Sequence, residues 1–490
     1  MARNGLGVWC GLSLVCSCGV AASVAVGSQD VPAALTPFDA PEGTVKVHGC
    51  FGDEHGHLEG GIHFIEQDPL VLELVEALER AQGAAHDNRV DIVFVGDGYT
   101  AGEMAQFHAD VDRVLDTFFF YEPFKSYEPY FRITRVEVVS NESGVDNDPS
   151  EGIDRDTALD MAYWCSGIER LLCVNVSKAY TAAFMGGVDV DQVIAIANSS
   201  KYGGAGYPSN NLGTVAGSNA FAADIGIHEF GHSFGDLADE YTYGGPQTYN
   251  GPELSPADVS IFDRSEQISM ETKWWRWMDA SMSGFDGPTS TYEGGNYSEF
   301  GVYRPSNNSM MRNLGRPFNL PSAEEILRKL YGSEVNPIDD GTPNGTELME
   351  GDTAWVLPMQ PLDHDLTVIW YLDDVIVPAL IGETSVDIAM LGAMPGSELK
   401  VEVIDATPWV RNPATRENRL TETRVFTIGG CVRDPDLTGD GELDFFDVSA
   451  FLQALANEDP IADFSGDGLY DFFDVSAFLQ AMASGECVPA

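Results

Sequence analysis

Basic residues are scarce in this sequence. Lysine and arginine number 26 against 77 aspartates and glutamates, so the formal net charge is −51 over 490 residues. A strongly negative surface repels both a phosphate backbone and an anionic membrane face. We therefore expect no nucleic-acid partner and no membrane contact beyond an export signal. The excess of carboxylates instead suits cation binding, solubility in salt, or both.

Long apolar runs are also scarce. An apolar stretch from Leu6 to Val26 follows Arg3, and small and polar residues from Gly27 end it. This pattern predicts an export signal over residues 1–28, and hence a secreted protein, with cell-surface attachment as the alternative. No later segment contains 18 uninterrupted apolar residues, so none is expected to span a membrane.

Cysteines are few, and their number is odd once the signal is removed. Cys50, Cys165, Cys173, Cys431 and Cys487 remain of the eight in the sequence. Export permits disulfides, and position along the chain favours the pairs Cys165–Cys173 and Cys431–Cys487, with Cys50 left over. Buried thiols are the alternative interpretation.

Patterning divides the rest of the chain into four segments. Residues 29–87, with a predicted helix near Leu70–Gln82, read as a pro-segment or small leading domain. Residues 88–338 alternate strands and helices, which indicates an α/β (α+β) domain. Its predicted elements are strands at 90–95, 131–140 and 192–197, and helices after Thr100 and at 156–163. Short β-type runs between turns predict a β-sandwich over 346–430. Residues 431–490 form a repeat pair.

A metal-binding pattern lies on a predicted helix at 222–234. His228 and His232 are four residues apart, so both imidazoles lie on one face of a helix and can bind one metal ion. Glu229 follows the first histidine, where it can act as general base on a water. A zinc ion would polarise a carbonyl and lower the pKa of that water.

The third ligand is not a histidine in this sequence. None occurs between His232 and His364, and Gly235 can end the helix so that the chain turns back. A carboxylate is the chemically sensible substitute, and Asp239 and Glu240 follow shortly after. The N-terminal histidines, His48 among them, are interpreted as ordinary surface or core residues, with Cys50 as an alternative pro-segment ligand for zinc.

The segment His228-Glu-Phe-Gly-His-Ser-Phe-Gly-Asp-Leu-Ala-Asp-Glu-Tyr241 resembles the metal segment of the IgA-peptidase family of zinc metallopeptidases. Further matches, in order along residues 88–335, are Asn88-Arg-Val-Asp-Ile-Val-Phe-Val-Gly-Asp-Gly-Tyr-Thr100, Trp164-Cys-Ser-Gly-Ile-Glu-Arg-Leu-Leu-Cys173, Ser200-Lys-Tyr-Gly-Gly-Ala-Gly-Tyr207, Gly301-Val-Tyr-Arg-Pro305 and Ser309-Met-Met-Arg312. The resemblance implies a metzincin-like zincin fold, with a mixed sheet above an active-site helix and a methionine turn beneath the metal.

Several site residues follow from this resemblance. Metzincins place a third histidine where Ala238 stands, and the resemblance implies that an acid takes over that role. Asp239 is favoured over Glu240 because it is nearer the usual spacing and has the shorter side chain. Met311 is expected in the turn, with Met310 as the alternative. Tyr303 is a candidate hydrogen-bond donor to the oxyanion, although a packed tyrosine is the simpler interpretation.

The last 60 residues contain a 27-residue repeat. Each copy begins Asp-x-[Thr/Ser]-Gly-Asp-Gly and reaches an aspartate at position 12, an arrangement of oxygen ligands that suits calcium. The expected ligands are Asp436, Thr438, Asp440, Glu442 and Asp447 in the first copy, and Asp463, Ser465, Asp467, Leu469 and Asp474 in the second. The copies resemble the dockerin-type repeat, an α-helical module, which implies a cohesin-like partner. Phe445-Phe446 and Phe472-Phe473 are predicted to pack the copies together.

Taken together, these features predict a secreted zinc metalloendopeptidase that acts on a protein or peptide substrate, with zinc as catalytic cofactor and calcium as structural cofactor. One alternative is a zinc amidohydrolase acting on a non-protein amide. Another is an extracellular calcium-dependent binding protein in which zinc is structural.

Overall fold

The structure of the protein, a computed structural model, describes residues 44–52, 57–66, 88–333, 335–429, 431–485 and 488–489. They belong to one compact unit, Ala40–Ala490. The export signal, the helix near Leu70–Gln82 and Cys487 lie outside the described residues. The Cys165–Cys173 disulfide is confirmed. Within the described ranges, no helix has the length and apolar character needed to cross a bilayer.

A seven-stranded sheet forms the centre of the first half of the chain. Its order is β2-β1-β6-β7-β5-β3-β4, with β7, β5, β3 and β4 parallel and β6, β1 and β2 antiparallel. The strands are β1 Thr44–Gly52, β2 Leu58–Glu66, β3 Val90–Asp97, β4 Phe131–Val136, β5 Gln192–Ala197, β6 Gly204–Tyr207 and β7 Leu212–Ala216.

Both faces of the central strands are buried, which explains their continuous apolar sequence. Every residue of β3 and β5 is buried. Alternate side chains contact α1 (Met104–Phe118) and α3 (Ala222–Ser233) on one face. The intervening ones contact α2 (Val176–Phe184) on the other face. The protein is therefore a mixed α/β fold with several sheets, which fits a peptidase catalytic domain.

The helix predicted over Asp156–Tyr163 is wrong, because this segment folds around the buried carboxylate of Asp97. The backbone amides of Leu159 and Met161 each donate to that carboxylate at 2.8 Å, and the Thr157 hydroxyl donates at 2.9 Å. These long-range bonds use backbone donors that a helix would need for itself. The strand from Phe131 also ends early, at Val136.

Smaller elements follow the central domain. They are α4 Arg264–Met270, the hairpin of β8 Tyr292–Gly295 and β9 Ser298–Arg304, and α5 Leu320–Ser333. The tip of this hairpin is the two-residue turn Asn296-Tyr297, since Gly295 pairs with Ser298. Both turn residues have positive φ, 45° and 65°, as a tight hairpin turn requires.

Two further sheets occupy residues 338–428 and share one hydrophobic core. The strands are β10 Ile338–Gly341, β11 Glu347–Leu348, β12 Thr353–Pro358, β13 Thr367–Leu372, β14 Val375–Ile376, β15 Ser385–Asp387, β16 Glu398–Ile404 and β17 Thr421–Ile428, with α6 at Pro413–Asn418. The sheet orders are β10-β12-β15 and β11-β17-β16-β13-β14. Alternate side chains of β12 are buried, as in a sheet that has one solvent-exposed face.

A buried carboxylate, that of Asp405, joins these sheets to the central domain. It accepts hydrogen bonds from the hydroxyls of Tyr127 at 2.6 Å and Tyr331 at 2.8 Å. On its other oxygen, Nε2 of His364 donates at 2.7 Å. Side chains from distant parts of the chain therefore meet at one buried negative charge.

The C-terminal segment consists of two similar loop and helix units. The helices are α7 Phe445–Ala456 and α8 Phe472–Ser484. Two short strands, β18 Cys431–Arg433 and β19 Val488–Pro489, pair with each other. Phe451 and Phe478 stack between the helices with ring centroids 4.1 Å apart.

The predicted packing of Phe445-Phe446 against Phe472-Phe473 is wrong, because these rings are 65–76% exposed. Asp444 and Asp471 cap the two helices, so the phenylalanine pairs occupy the first two helical positions. The buried helix face begins further along, and Phe451 and Phe478 lie on it.

The Asp405 junction predicts a pH-dependent stability. Its hydrogen bond to His364, reinforced by Asp363, raises the pKa of His364 from 6.5 to about 9. The protonated imidazole therefore stabilises the folded state fully below pH 6.5, and this contribution disappears as the pH rises through about 9. We expect chemical denaturation to show stability falling over this window in the wild type and a shallower fall in His364→Gln.

The matched control is His108→Gln, which removes a histidine from an exposed pair with Glu137. It should follow the wild-type pH profile. An unchanged profile in His364→Gln would contradict the junction's role.

Candidate metal centre

Helix α3 positions the two histidines of the site. Its residues 222–233 are buried apart from Asp224, because the helix lies under the sheet between α1 and the segment around Met311. Nδ1 of His228 donates to the carbonyl of Met310 at 3.0 Å, and Nδ1 of His232 donates to the carbonyl of Leu237 at 2.7 Å. Since a carbonyl oxygen only accepts, each imidazole carries its proton on Nδ1. Each Nε2 then faces the interior of the site.

Asp239 completes a triangle of ligand atoms. Its Oδ1 lies 3.1 Å from Nε2 of His228 and 3.2 Å from Nε2 of His232. The two Nε2 atoms are 3.0 Å apart. All three side chains are fully buried.

This donor set fits a zinc ion. When both rings are in the neutral form with the proton on Nδ1, three lone-pair acceptors face one another. Such an arrangement is repulsive unless a cation lies among them. Two imidazoles and one carboxylate, each held from behind by a hydrogen bond, are typical zinc ligands.

Backbone hydrogen bonds hold the bend that carries Asp239. After α3 ends, Asp236 adopts φ 51° and the Leu237 amide bonds to the carbonyl of Gly231 at 3.1 Å. The Ala238 amide donates to the buried carboxylate of Asp258 at 2.9 Å. The carboxylate of Asp239 is therefore fixed in place from several directions.

Glu240, the alternative third ligand, faces away from the triangle. Its two carboxylate oxygens accept hydrogen bonds from the Ser309 hydroxyl at 2.7 Å and the Asn319 amide at 2.5 Å. Its own backbone amide donates to the carbonyl of Met311 at 2.8 Å. Burial raises the pKa of Glu240 to about 7. The structure thus brings Asp239, and not Glu240, to the histidines.

Met310 and Met311 lie in the turn beneath α3 and are both completely buried. A Cβ added to Gly231 would lie 2.7 Å from Sδ of Met311, so this thioether packs against the helix between the two histidines. Met310 contributes instead its carbonyl, which holds His228.

Glu229 lies against strand β6 of the sheet. Its side chain is buried, and a Cβ added to Gly206 on β6 would come within 2.3 Å of Oε2. Only a glycine at this position leaves room for the carboxylate. The space that the Glu229 side chain needs therefore explains the glycine at position 206 of β6.

Tyr297 is a site residue that the sequence did not reveal. Its hydroxyl donates a short hydrogen bond to Oδ2 of Asp239, although the residues are 58 apart in sequence. It occupies the hairpin tip with positive φ, which is unusual for an aromatic residue and marks a constrained position. The run Gly294-Gly295-Asn296 was the one local signal of a tight turn.

Tyr303 lies in a different environment. Its backbone pairs with Ser260, and its side chain is near the acids Glu293, Asp263 and Glu266, whose charges add to burial in raising its pKa. The described contacts place Tyr297, rather than Tyr303, beside Asp239.

His48 is the second residue that the sequence interpretation missed. It belongs to β1, and its Nδ1 lies 3.3 Å from Oδ2 of Asp239. Its ring stacks on that of His232 with centroids 4.1 Å apart. Ligand atoms of His48, His232 and Asp239 all lie within 4.8 Å of one another. His48 is therefore a buried member of the cluster and not an ordinary core residue.

The electrostatics of the cluster favour a neutral His48 beside an ionised Asp239. Burial, followed by the electrostatic interaction with His232, lowers the pKa of His48 to about 3. Burial alone would raise the pKa of Asp239, but its interactions with His232, His228 and His48 outweigh this and hold the pKa well below 3.8. Ionised Asp239 and neutral histidines are the forms that bind a metal.

Removal of the third ligand gives a direct test. We expect Asp239→Ala to lower zinc affinity by about 100-fold or more, since it removes the anionic ligand that lies against the imidazoles. Glu240→Gln is the matched control, because its side chain bonds Ser309 and Asn319, and it should keep zinc affinity close to wild type even if stability falls. Competition with a chelator of known affinity measures both, and equal loss in the two variants would contradict the assignment.

Comparison with known families agrees with this geometry. The family described as IgA Peptidase M64 matches residues 78–286, which include His228, Glu229, His232 and Asp239. No curated protein matches the chain. The family match does not extend to residues 431–490, so the dockerin-type interpretation stays a prediction. Over the matched residues the resemblance to the IgA-peptidase family is confirmed, and it implies a metallopeptidase.

Proposed function

We propose that the chain is a secreted zinc metalloendopeptidase that hydrolyses peptide bonds of protein substrates. One observation carries this proposal. Nε2 of His228, Nε2 of His232 and Oδ1 of Asp239 converge within 3.2 Å, and Glu229 follows the first of these ligands on the same helix. The match to a peptidase family supports the reaction class.

His228, His232 and Asp239 would hold the zinc ion. Bound there, zinc would polarise the scissile carbonyl and make a water more acidic. Glu229 accepts a proton from the attacking water and then donates it to the nitrogen of the leaving amine, so that the carboxylate is regenerated. The buried setting of Glu229 beside β6 keeps its carboxylate at one position during both transfers.

A hydroxyl is available to stabilise the oxyanion that forms during attack. From the sequence, Tyr303 was a candidate for this role, with a packed tyrosine as the simpler interpretation, whereas Tyr297 has its hydroxyl at Asp239. We therefore assign the donor role to Tyr297. In the resting state its hydrogen bond to Oδ2 of Asp239 also orients that carboxylate toward the histidines.

Strand β6 is suited to an extended peptide. It contains glycine at positions 204 and 206 and lies beside Glu229. A substrate backbone can approach such a strand closely and pair with it, so that recognition rests on main-chain hydrogen bonds. This arrangement favours an endopeptidase, since the strand has no feature that would require a free chain end.

The remaining architecture fits the same proposal. We interpret the sheet above α3, with Met311 below it, as a metzincin-like catalytic domain over residues 88–338. Residues 346–430 form a β-sandwich in this interpretation, because two sheets share one core. Neither assignment alters the chemistry, which depends only on the residues around α3.

The general base provides the central test. Glu229→Gln should keep zinc, because Glu229 is not one of the three ligands, and should lose about 10³-fold in kcat/KM, as expected when proton transfer is removed. Hydrolysis of casein by wild-type protein should also stop with a zinc chelator and return with added zinc. Full activity in the variant would rule out this mechanism.

We also propose that residues 431–490 are a dockerin-like calcium module with a cohesin-like partner. In each copy the first and twelfth aspartates accept backbone amides of one loop: Gly439 and Gly441 bond Asp436, and Thr438 and Asp444 bond Asp447. The second copy repeats this with Asp463 and Asp474. Thirteen acids against one arginine in this segment favour folding with a cation.

Calorimetric titration of calcium into the full chain should show two sites per chain. Asp447→Ala and Asp474→Ala should each remove one site, since each takes away the twelfth ligand of one loop. Glu458→Ala, an exposed acid between the two loops, is the control and should leave both sites. Two sites in all variants would contradict the ligand assignment.

A further inference from the structure

The N-terminal hairpin, defined here as β1 and β2 within residues 44–66, crosses the candidate metal centre. On one side, His48 of β1 pairs with Gly206 of β6. On the other side, His57 forms a backbone bridge with Asn313, two residues after Met311. The hairpin is thus in contact with the sheet edge above the centre and with the turn below it.

The same hairpin inserts a side chain over the metal ligands. His48 stacks on His232 and lies 3.3 Å from Asp239, and it is 5% exposed. An imidazole in this place is a fourth zinc-binding group next to the three already described. A zinc site with four protein ligands has no open position for water, and such sites are structural rather than catalytic.

The hairpin also occupies the edge that a peptide would use. One edge of β6 is paired with β7, through four residue pairs from Gly204 to Tyr207. On the other edge, β1 pairs with Gly206, and Leu171 forms a single bridge with Gly204. His48 stands opposite Gly206, the residue against which Glu229 lies. A substrate strand and β1 would therefore compete for the same backbone groups beside the general base.

The contact between β1 and β6 is slight in comparison with the pairing inside the hairpin. Nine residue pairs join β1 to β2, whereas a single pair joins β1 to β6. The hairpin would keep its own pairing if β1 left β6, but Val45 and Val47 of β1 also lie in the core packed on the sheet, so displacement exposes apolar side chains. It also precedes the family-matched residues 78–286.

We propose that the N-terminal hairpin is a built-in, substrate-like inhibitor, with His48 closing the zinc centre and β1 covering the peptide-binding edge of β6. This inference rests on the proposed peptidase function. The chain is then made in a latent form, and it becomes active when the hairpin is displaced or removed by proteolysis. The substrate class follows from the same geometry, because what replaces β1 must be an extended polypeptide strand.

The test uses the full chain and the variant His48→Ala. Cobalt substituted for zinc reports the ligands through its visible absorption, without reference to activity. We expect the variant to keep one metal ion, to change the cobalt spectrum as an imidazole is replaced by solvent, and to show a several-fold rise in kcat/KM on a fluorogenic peptide. The rise follows because a larger fraction of the protein is competent to bind substrate.

The matched control is His63→Gln on β2 of the same hairpin, whose ring lies near Gly49 rather than near Asp239. It should keep the wild-type spectrum and kcat/KM. A second measurement adds the peptide Thr44–Gly52, under reducing conditions, to His48→Ala protein. We expect competitive inhibition, and much weaker inhibition by the same peptide with alanine in place of His48.

The outcomes separate the two proposals. If His48→Ala matches wild type in both spectrum and activity, while Glu229→Gln remains inactive, the hairpin is not an inhibitor and the peptidase assignment stands. If His48→Ala changes the spectrum but loses activity, His48 is a required ligand, and the inhibitory role is overturned. If wild-type protein binds no cobalt at all, both proposals fail.

Discussion

The whole site depends on two hydrogen bonds from imidazole to backbone. The carbonyls of Met310 and Leu237 take the Nδ1 protons of His228 and His232. Each ring is therefore fixed in one tautomer, with its lone pair directed inward toward the carboxylate of Asp239. Because three acceptors this close repel one another, the arrangement is suited to a cation among them.

Much of the surrounding structure serves to hold that arrangement. The carbonyl of Met310 comes from the turn below α3, and that of Leu237 comes from the bend after it. Asp258 secures the same bend through the Ala238 amide, and Tyr297 reaches Asp239 from the tip of a separate hairpin. Four stretches of chain must therefore be correctly positioned relative to one another before the three ligands meet. Such a site belongs to a rigid scaffold, which agrees with the buried sheet above it.

The N-terminal hairpin brings a further imidazole, that of His48, to the same ligands. A strand edge beside a general base is a good place for a substrate, and for that reason it is also a good place for an inhibitor made from the chain itself. His48 uses the property that makes His228 and His232 ligands, a neutral imidazole with an available lone pair. Covering the edge also protects an exposed strand from pairing with other chains.

Local patterns in the sequence were sufficient wherever the decisive residues are neighbours along the chain. The spacing of His228 and His232 and the strand Gln192–Ala197 depend on helix or strand periodicity, and the structure has the helix Ala222–Ser233 and that strand. Asp239 was favoured by the family resemblance, and its carboxylate lies 3.1 Å from Nε2 of His228. Other features depend on contacts that no local pattern carries. Asp97 prevents a helix at Asp156–Tyr163 by taking its amides, and His48 reaches Asp239 across 191 residues. Sequence periodicity determines on which face of a helix or strand a side chain lies. Only the tertiary structure determines which distant residues that face contacts.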